Sequence, residues 1–247
     1  MAEIVRTLDR DVLASAPDAA LTREWLVTNG LGGFASGTVG GAVTRRYHGL
    51  LAAALPAPLG RVVMLSHLVD RLILPDGSEH PLGCDEPVPL GMERGGIGNL
   101  VQFRLEAGLP VWRYEVGDVV VEKQIVLPHR QNIAHVTYRI VRAREPVTVQ
   151  MRPMLAFRLL EEAVDKPLAR AYRLSADGRR YEVSAGPDLP VLRMAIEGGD
   201  FPMTLDGGIR RDVYYRVEDE RGYEARGPLW TPGYFSGEVG PGQSITF

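Results

Sequence analysis

Apolar and polar side chains alternate with a period of two along most of this chain, the mark of strands that turn one face to a core. Residues 111–127, VWRYEVGDVVVEKQIVL, are two β-branched runs around Gly117-Asp118, and they predict a hairpin of strands Val111–Val116 and Val119–Val126. The runs IAHVTYRIVR and PVTVQMRPML repeat the alternation. AYRLSADGRRYEVSA places Asp177-Gly178 between two alternating runs, the strongest short hairpin signal in the chain. RLILPDGSEHPL offers a further turn at Pro75-Asp76-Gly77, and DVYYRVEDERGYEA a further strand. Helical spacing is scarce: Asp9 to Ala20 and LAFRLLEEAV, Leu155 to Val164, each predict one short helix.

This pattern amounts to roughly 14 to 18 strands at the spacing of an all-β sandwich. That exceeds one immunoglobulin-sized unit of about 100 residues. No linker-like stretch divides the chain, so one large antiparallel β-sandwich over residues 1–247 is the expectation. The 28 glycines and 18 prolines fall in short turn-like clusters and serve as punctuation between strands. The closing GEVGPGQSITF stops inside an alternating run, which reads as a domain of something longer.

Charge and cysteine content narrow the function classes. A net charge of −3 argues against a nucleic-acid partner, which calls for a basic face. No apolar run approaches the roughly 18 to 20 residues needed to span a bilayer. The start, MAEIVRTLDRDVL, has neither the basic nor the apolar region of a secretory signal. Cys84 is the single cysteine, so an internal disulfide is impossible, in keeping with a cytoplasmic location.

The most distinctive stretch is TNGLGGFASGTVGGAVTRRYHGLL, Thr28 to Leu51. Gly30-Leu31-Gly32-Gly33-Phe34-Ala35 formally fits the dinucleotide fingerprint G-x-G-x-x-G/A. The chemistry needs a helix opening at the glycines and an acid about 20 residues on. Gly40 and Gly41 would each cost such a helix about 1 kcal/mol, and no Asp or Glu occurs from Trp25 to Val69. A phosphate loop fails as well, because Thr38 stands where its lysine is required. No nucleotide or other cofactor is expected. What the glycines do permit is tight turning and close backbone approach.

The stretch ends in Arg45-Arg46-Tyr47-His48, donors suited to sugar hydroxyls or to carboxylates of another surface. Asn29 shares that chemistry, and Trp25 and Trp230 are candidate platforms for the C–H face of a sugar. The competing reading makes these polar groups partners of carboxylates on other strands and the tryptophans core. Arg45, Arg46 and His48 are expected near one exposed rim, where substitution leaves stability within about 1 kcal/mol. Catalytic candidates are lacking. Glu161-Glu162 and Glu218-Asp219-Glu220 sit in charged runs expected to be solvated, and the five histidines lack metal-ligand spacing, so no metal is expected.

EWLVTNGLGGFASGTVGGAVTRRYHGLL, followed by GRVVMLSHLVDRL, resembles the start of the bacterial and archaeal glycogen-debranching enzyme family. WRYEVGDVVVEKQIVLPHRQNIAHVTYRI and ERGYEARGPLWTPGYF resemble its middle hairpins and closing strands in the same order. The resemblance implies an N-terminal β-supersandwich of galactose-mutarotase-like architecture beside a C-terminal catalytic barrel of paired helices. It implies a glycoside hydrolase of glycogen catabolism as parent, an amylo-α-1,6-glucosidase with or without 4-α-glucanotransferase activity. This chain would then be non-catalytic, packing against that barrel, with the Arg45–His48 cluster either bounding its α-glucan site or holding the domain interface. The alternatives are a freestanding carbohydrate-binding or interaction module and a small enzyme complete in itself.

Overall fold

The computed structural model describes residues 4–15, 18–87, 95–166, 171–208 and 210–247. The chain runs through strand β1 (Ile4–Asp9), helices α1 (Arg10–Ser15) and α2 (Ala19–Thr22), and strands β2 (Glu24–Thr28), β3 (Phe34–Thr38), β4 (Gly49–Ala54), β5 (Arg61–Ile73) and β6 (Glu79–Pro81). Helix α3 (Gly95–Asn99) leads into β7 (Leu100–Glu106), β8 (Leu109–Val116), β9 (Val119–Val126), β10 (His135–Arg142) and β11 (Val147–Leu159). Three short strands follow, β12 (Arg173–Asp177), β13 (Arg180–Ser184) and β14 (Leu192–Met194). The rest comprises β15 (Met203–Leu205), β16 (Arg210–Tyr214), helix α4 (Arg216–Glu220), β17 (Arg226–Trp230), β18 (Gly233–Val239) and β19 (Ser244–Thr246).

These strands build a large antiparallel β-sandwich. One sheet has the order β1-β7-β8-β9-β10-β19. The other runs β15-β18-β11-β5-β4-β3-β2, with β17 beside β11, β16 beside β17 and β6 on β5. A small third sheet is β12-β13-β14. The spine of the sheet that holds β5 and β11 is the pairing of those two strands, from Thr148 opposite Ile73 to Leu159 opposite Val62. The β8–β9 hairpin turns at Gly117 with φ +55°, as the alternation predicted. The β12–β13 hairpin turns at Gly178 with φ +58°. At both turns the positive φ suits a residue without a Cβ.

The two helices expected from sequence fare differently. The first is split into α1 and α2, and residues 16 and 17 between them lie outside the described residues. The second is not formed: Leu155–Leu159 continues β11, and only a turn follows. Helical spacing in LAFRLLEEAV loses to pairing with β5, where Arg158 and Leu159 sit opposite Val63 and Val62. A register shift beside Phe157, which has φ +47°, admits this pairing and buries both Phe157 and Arg158.

The core lies between the two large sheets. Trp25 of β2 meets Trp112 of β8 edge-on, centroids 5.3 Å apart at 85°. Phe235 of β18 meets Phe247 beyond β19 edge-on at 5.7 Å. One charge crosses the interior as well: Asp70 of β5 accepts from Lys123 Nζ of β9 at 2.5 Å and from the Tyr138 hydroxyl of β10 at 2.6 Å. Phe235 is fully buried whereas Leu26 is 60% exposed on the outer face of β2. Phe235→Ala therefore lowers stability by about 3–5 kcal/mol, and Leu26→Ala changes it by no more than about 0.5 kcal/mol. Urea unfolding of the two variants beside the parent chain checks the contrast.

Candidate functional site: the Arg45–His48 loop

Between β3 and β4 the chain passes through a gap that admits little beyond backbone. Gly40 donates its N–H to the Ala20 carbonyl at 2.6 Å and its own carbonyl accepts from Cys84 N at 2.8 Å. A Cβ on Gly40 would stand 3.1 Å from that Ala20 oxygen, so the backbone of α2 would have to yield by a few tenths of an ångström. Past this gap the chain folds back on itself, with His48 N donating to the Arg45 carbonyl at 3.0 Å.

His48 is the pin of this loop. Its side chain is buried, and Nδ1 accepts from the backbone N–H of Thr44 at 3.1 Å and of Arg45 at 3.4 Å. An accepting Nδ1 assigns the proton of the neutral ring to Nε2. That nitrogen faces Glu24 Oε1 on β2 at 3.5 Å, and Arg45 Nε donates to the same oxygen at 2.6 Å. The facing His48 ring nitrogen holds the Glu24 carboxyl down at about 2, against an ordinary value of 4.5; partial burial opposes this and Arg45 assists it.

Arg46 points the other way, toward α4. Its backbone N–H donates to Glu218 Oε1 at 3.1 Å, and its Nε lies 3.9 Å from Glu218 Oε2. Nη2 donates to the Tyr47 hydroxyl at 2.6 Å, which in turn donates to Glu161 Oε2 at 3.2 Å. The guanidinium carbon lies 4.8 Å from the centroid of Tyr47 and 5.1 Å from that of Tyr223. Arg158 reaches in from the irregular end of β11 and donates to the Arg46 carbonyl. Val217 N closes the dock of α4 on the loop by donating to the Thr44 carbonyl at 3.0 Å.

Outside the loop, a hollow of about 540 Å³ opens on the face of β2 and β3, lined by Glu24, Leu26, Phe34, Arg45, Tyr47 and His48 among others. Arg45 and Tyr47 are half-buried there, with polar groups at the rim.

Several sequence expectations are corrected by this geometry. His48 is a buried pin and the Arg46 side chain is only 17% exposed, so neither lies loosely on a rim. Glu218 was expected in solvent and is fully enclosed. It supplies the buried carboxylate that Arg46 requires. Trp25 is buried, its Nε1 donating to the Thr38 carbonyl at 3.2 Å. Asn29 is buried too, its Oδ1 accepting from the N–H of Leu31 and Gly33 while Nδ2 donates to the Gln131 carbonyl and Asn132 Oδ1. It ties the β2–β3 turn to residues 131 and 132. Trp230 stacks on Tyr172 at 4.5 Å and 20°, away from the loop cluster. Glu24, Glu161, Glu218 and Tyr223 join the cluster from places no local pattern connected with it.

Residues 23–246 match the family described as glycogen debranching enzyme N terminal. The chain belongs to that family. No curated protein matches it.

In this debranching-enzyme N-terminal domain Glu24 and Glu218 hold the Arg45–His48 loop through Arg45 and the Arg46 backbone. A general acid at neutral pH needs a raised pKa, and Glu24 is held far below that range. Among the described residues no group of three His, Cys, Asp or Glu side chains is placed to hold a metal, and no helix is long and apolar enough to cross a membrane.

Two outcomes follow for the anchors. The depressed Glu24 carboxyl favours the folded state fully above its ordinary 4.5, and that contribution is lost as pH falls through about 2. A carboxyl NMR titration finds Glu24 half-protonated near 2, and His48→Ala moves that midpoint toward 4.5. Removing one partner of a buried charged pair costs about 3–5 kcal/mol, so Glu218→Ala destabilises the domain by that order, as denaturant unfolding measures.

Proposed function

We propose that this domain is the non-catalytic partner of a glycoside-hydrolase domain in the same protein, which acts on α-glucan in the cytoplasm. In this reading residues 1–247 work as one unit that packs on the catalytic barrel with the face of β2 and β3, and the hollow beside Arg45 and Tyr47 bounds the glucan. The observation that carries the reading is the contrast within one cluster. Buried anchors, His48 and Glu218, hold the loop from behind, while Leu26, Arg45 and Tyr47 offer apolar and donor surface outward. Such a mixed surface is typical of contacts between domains. Distances of 3.5 Å from His48 to Glu24 and 3.9 Å from Arg46 to Glu218 leave room for the loop to tighten when a partner seats. Family membership supports the identity of that partner.

The test uses the protein together with its catalytic domain. Arg45→Glu, which reverses a half-exposed charge beside the hollow, raises KM for a branched glucan at least several-fold or loosens association of the two domains. Loss of the half-exposed Arg45–Glu24 contact also lowers the stability of this domain, by about 1 kcal/mol, which leaves it folded. The 247-residue chain by itself releases no reducing ends from glycogen. Unchanged KM and unchanged association in Arg45→Glu would sink the reading, and turnover by the chain itself would make it an enzyme in its own right.

A further inference from the structure

A second cavity, of about 260 Å³, lies between the large sheets and takes no part in the loop cluster. Its walls include Trp25, Trp112 and Tyr114, with Ser66, His67, Asp70 and Lys123 among them. The indole N–H groups are already used, Trp25 on the Thr38 carbonyl and Trp112 on the Val39 carbonyl, which leaves the carbon surfaces of both rings as lining. The charges are matched in pairs: Asp70 with Lys123, Asp85 with Arg211, and Glu79 with Arg71 where the lining reaches solvent. A charged ligand would therefore find no uncompensated partner, and its desolvation would go unopposed.

One polar group remains unspent. The His67 side chain is 8% exposed, and its Nδ1 is engaged with Ser66 Oγ at 3.2 Å. Its Nε2 is buried without a hydrogen bond among the described residues, 3.5 Å from Asp85 Oδ1, longer than the usual hydrogen-bond distance. Buried polar atoms in native proteins nearly always have a partner. A hydroxyl inserted beside Nε2 would meet both the imidazole and the Asp85 carboxylate.

We propose that this cavity binds one neutral polyhydroxylated ring, a monosaccharide, with a hydroxyl at the His67–Asp85 gap and its C–H face on the indole walls. Aromatic carbon surface beside paired donors and acceptors is the chemistry such a ring requires. Size limits it to one ring, since ligand pockets commonly span about 300–1,000 Å³ and this cavity lies just under that range. The site stands apart from the outer hollow and does not rest on the reading given for it.

D-glucose titrated into the 247-residue chain, followed by tryptophan fluorescence, tests it. The expected result is a saturable change that weakens at least ten-fold in His67→Gln at an unchanged unfolding midpoint. Ser66→Ala, which frees the imidazole to turn, serves as the second variant should the first fail to fold, and it too weakens the response. No saturable change in the parent chain means water alone fills the cavity and overturns the proposal. An undiminished response in the folded variants places the sugar elsewhere, for instance in the outer hollow, and overturns it equally while leaving the docking reading intact.

Discussion

A carboxylate sealed between two sheets is tolerable only if cations and donors arrive with it, and Asp70 imposes that constraint on the sandwich. Its partners, Lys123 and Tyr138, stand on neighbouring strands of the opposite sheet. Because side chains alternate from face to face, sliding β9 or β10 by one residue would turn its partner away from the core and leave the charge exposed to apolar surroundings. Burial also pushes the Tyr138 hydroxyl well above its ordinary range, with the nearby Asp70 charge adding to the effect, so the phenol stays a donor. Apolar packing around Trp25, Trp112 and Phe235 supplies the bulk of the driving force; the ionic contact singles out one relative setting of the sheets.

The same logic recurs at the loop between β3 and β4. Glu218 plays a comparable part for Arg46: a buried acid that accepts from its backbone N–H and so favours one backbone path. His48 adds a second lock by accepting two backbone N–H groups that the turn would otherwise leave bare. With the loop held from behind by α4 and β11, Arg45 and Tyr47 are placed outward without needing to be rigid themselves. The placement of these outward side chains thus depends on groups held in the interior.

Much of the architecture was legible from the chain. β-branched alternation located the β8–β9 hairpin, and Asp177-Gly178 located the turn of β12 and β13, because a strand's period and a left-handed turn are local demands on residue type. The glycine-rich run also announced close backbone passage, which Gly40 realises against Ala20.

What the tertiary structure alone decided is burial and partnership. LAFRLLEEAV has helical spacing, yet hydrogen bonding to β5 extended β11 through its first half, since a ladder with a distant strand outweighs local preference. Glu218 and Asp219 are neighbours in one acidic run, and only the docking of α4 on the loop made the first an interior anchor. Arg46 and Glu218 are 172 positions apart, so no window along the chain contains the pair. Period and turn chemistry are properties of short segments and survive in the sequence; which charge is enclosed, and by what, is a property of the whole packed chain.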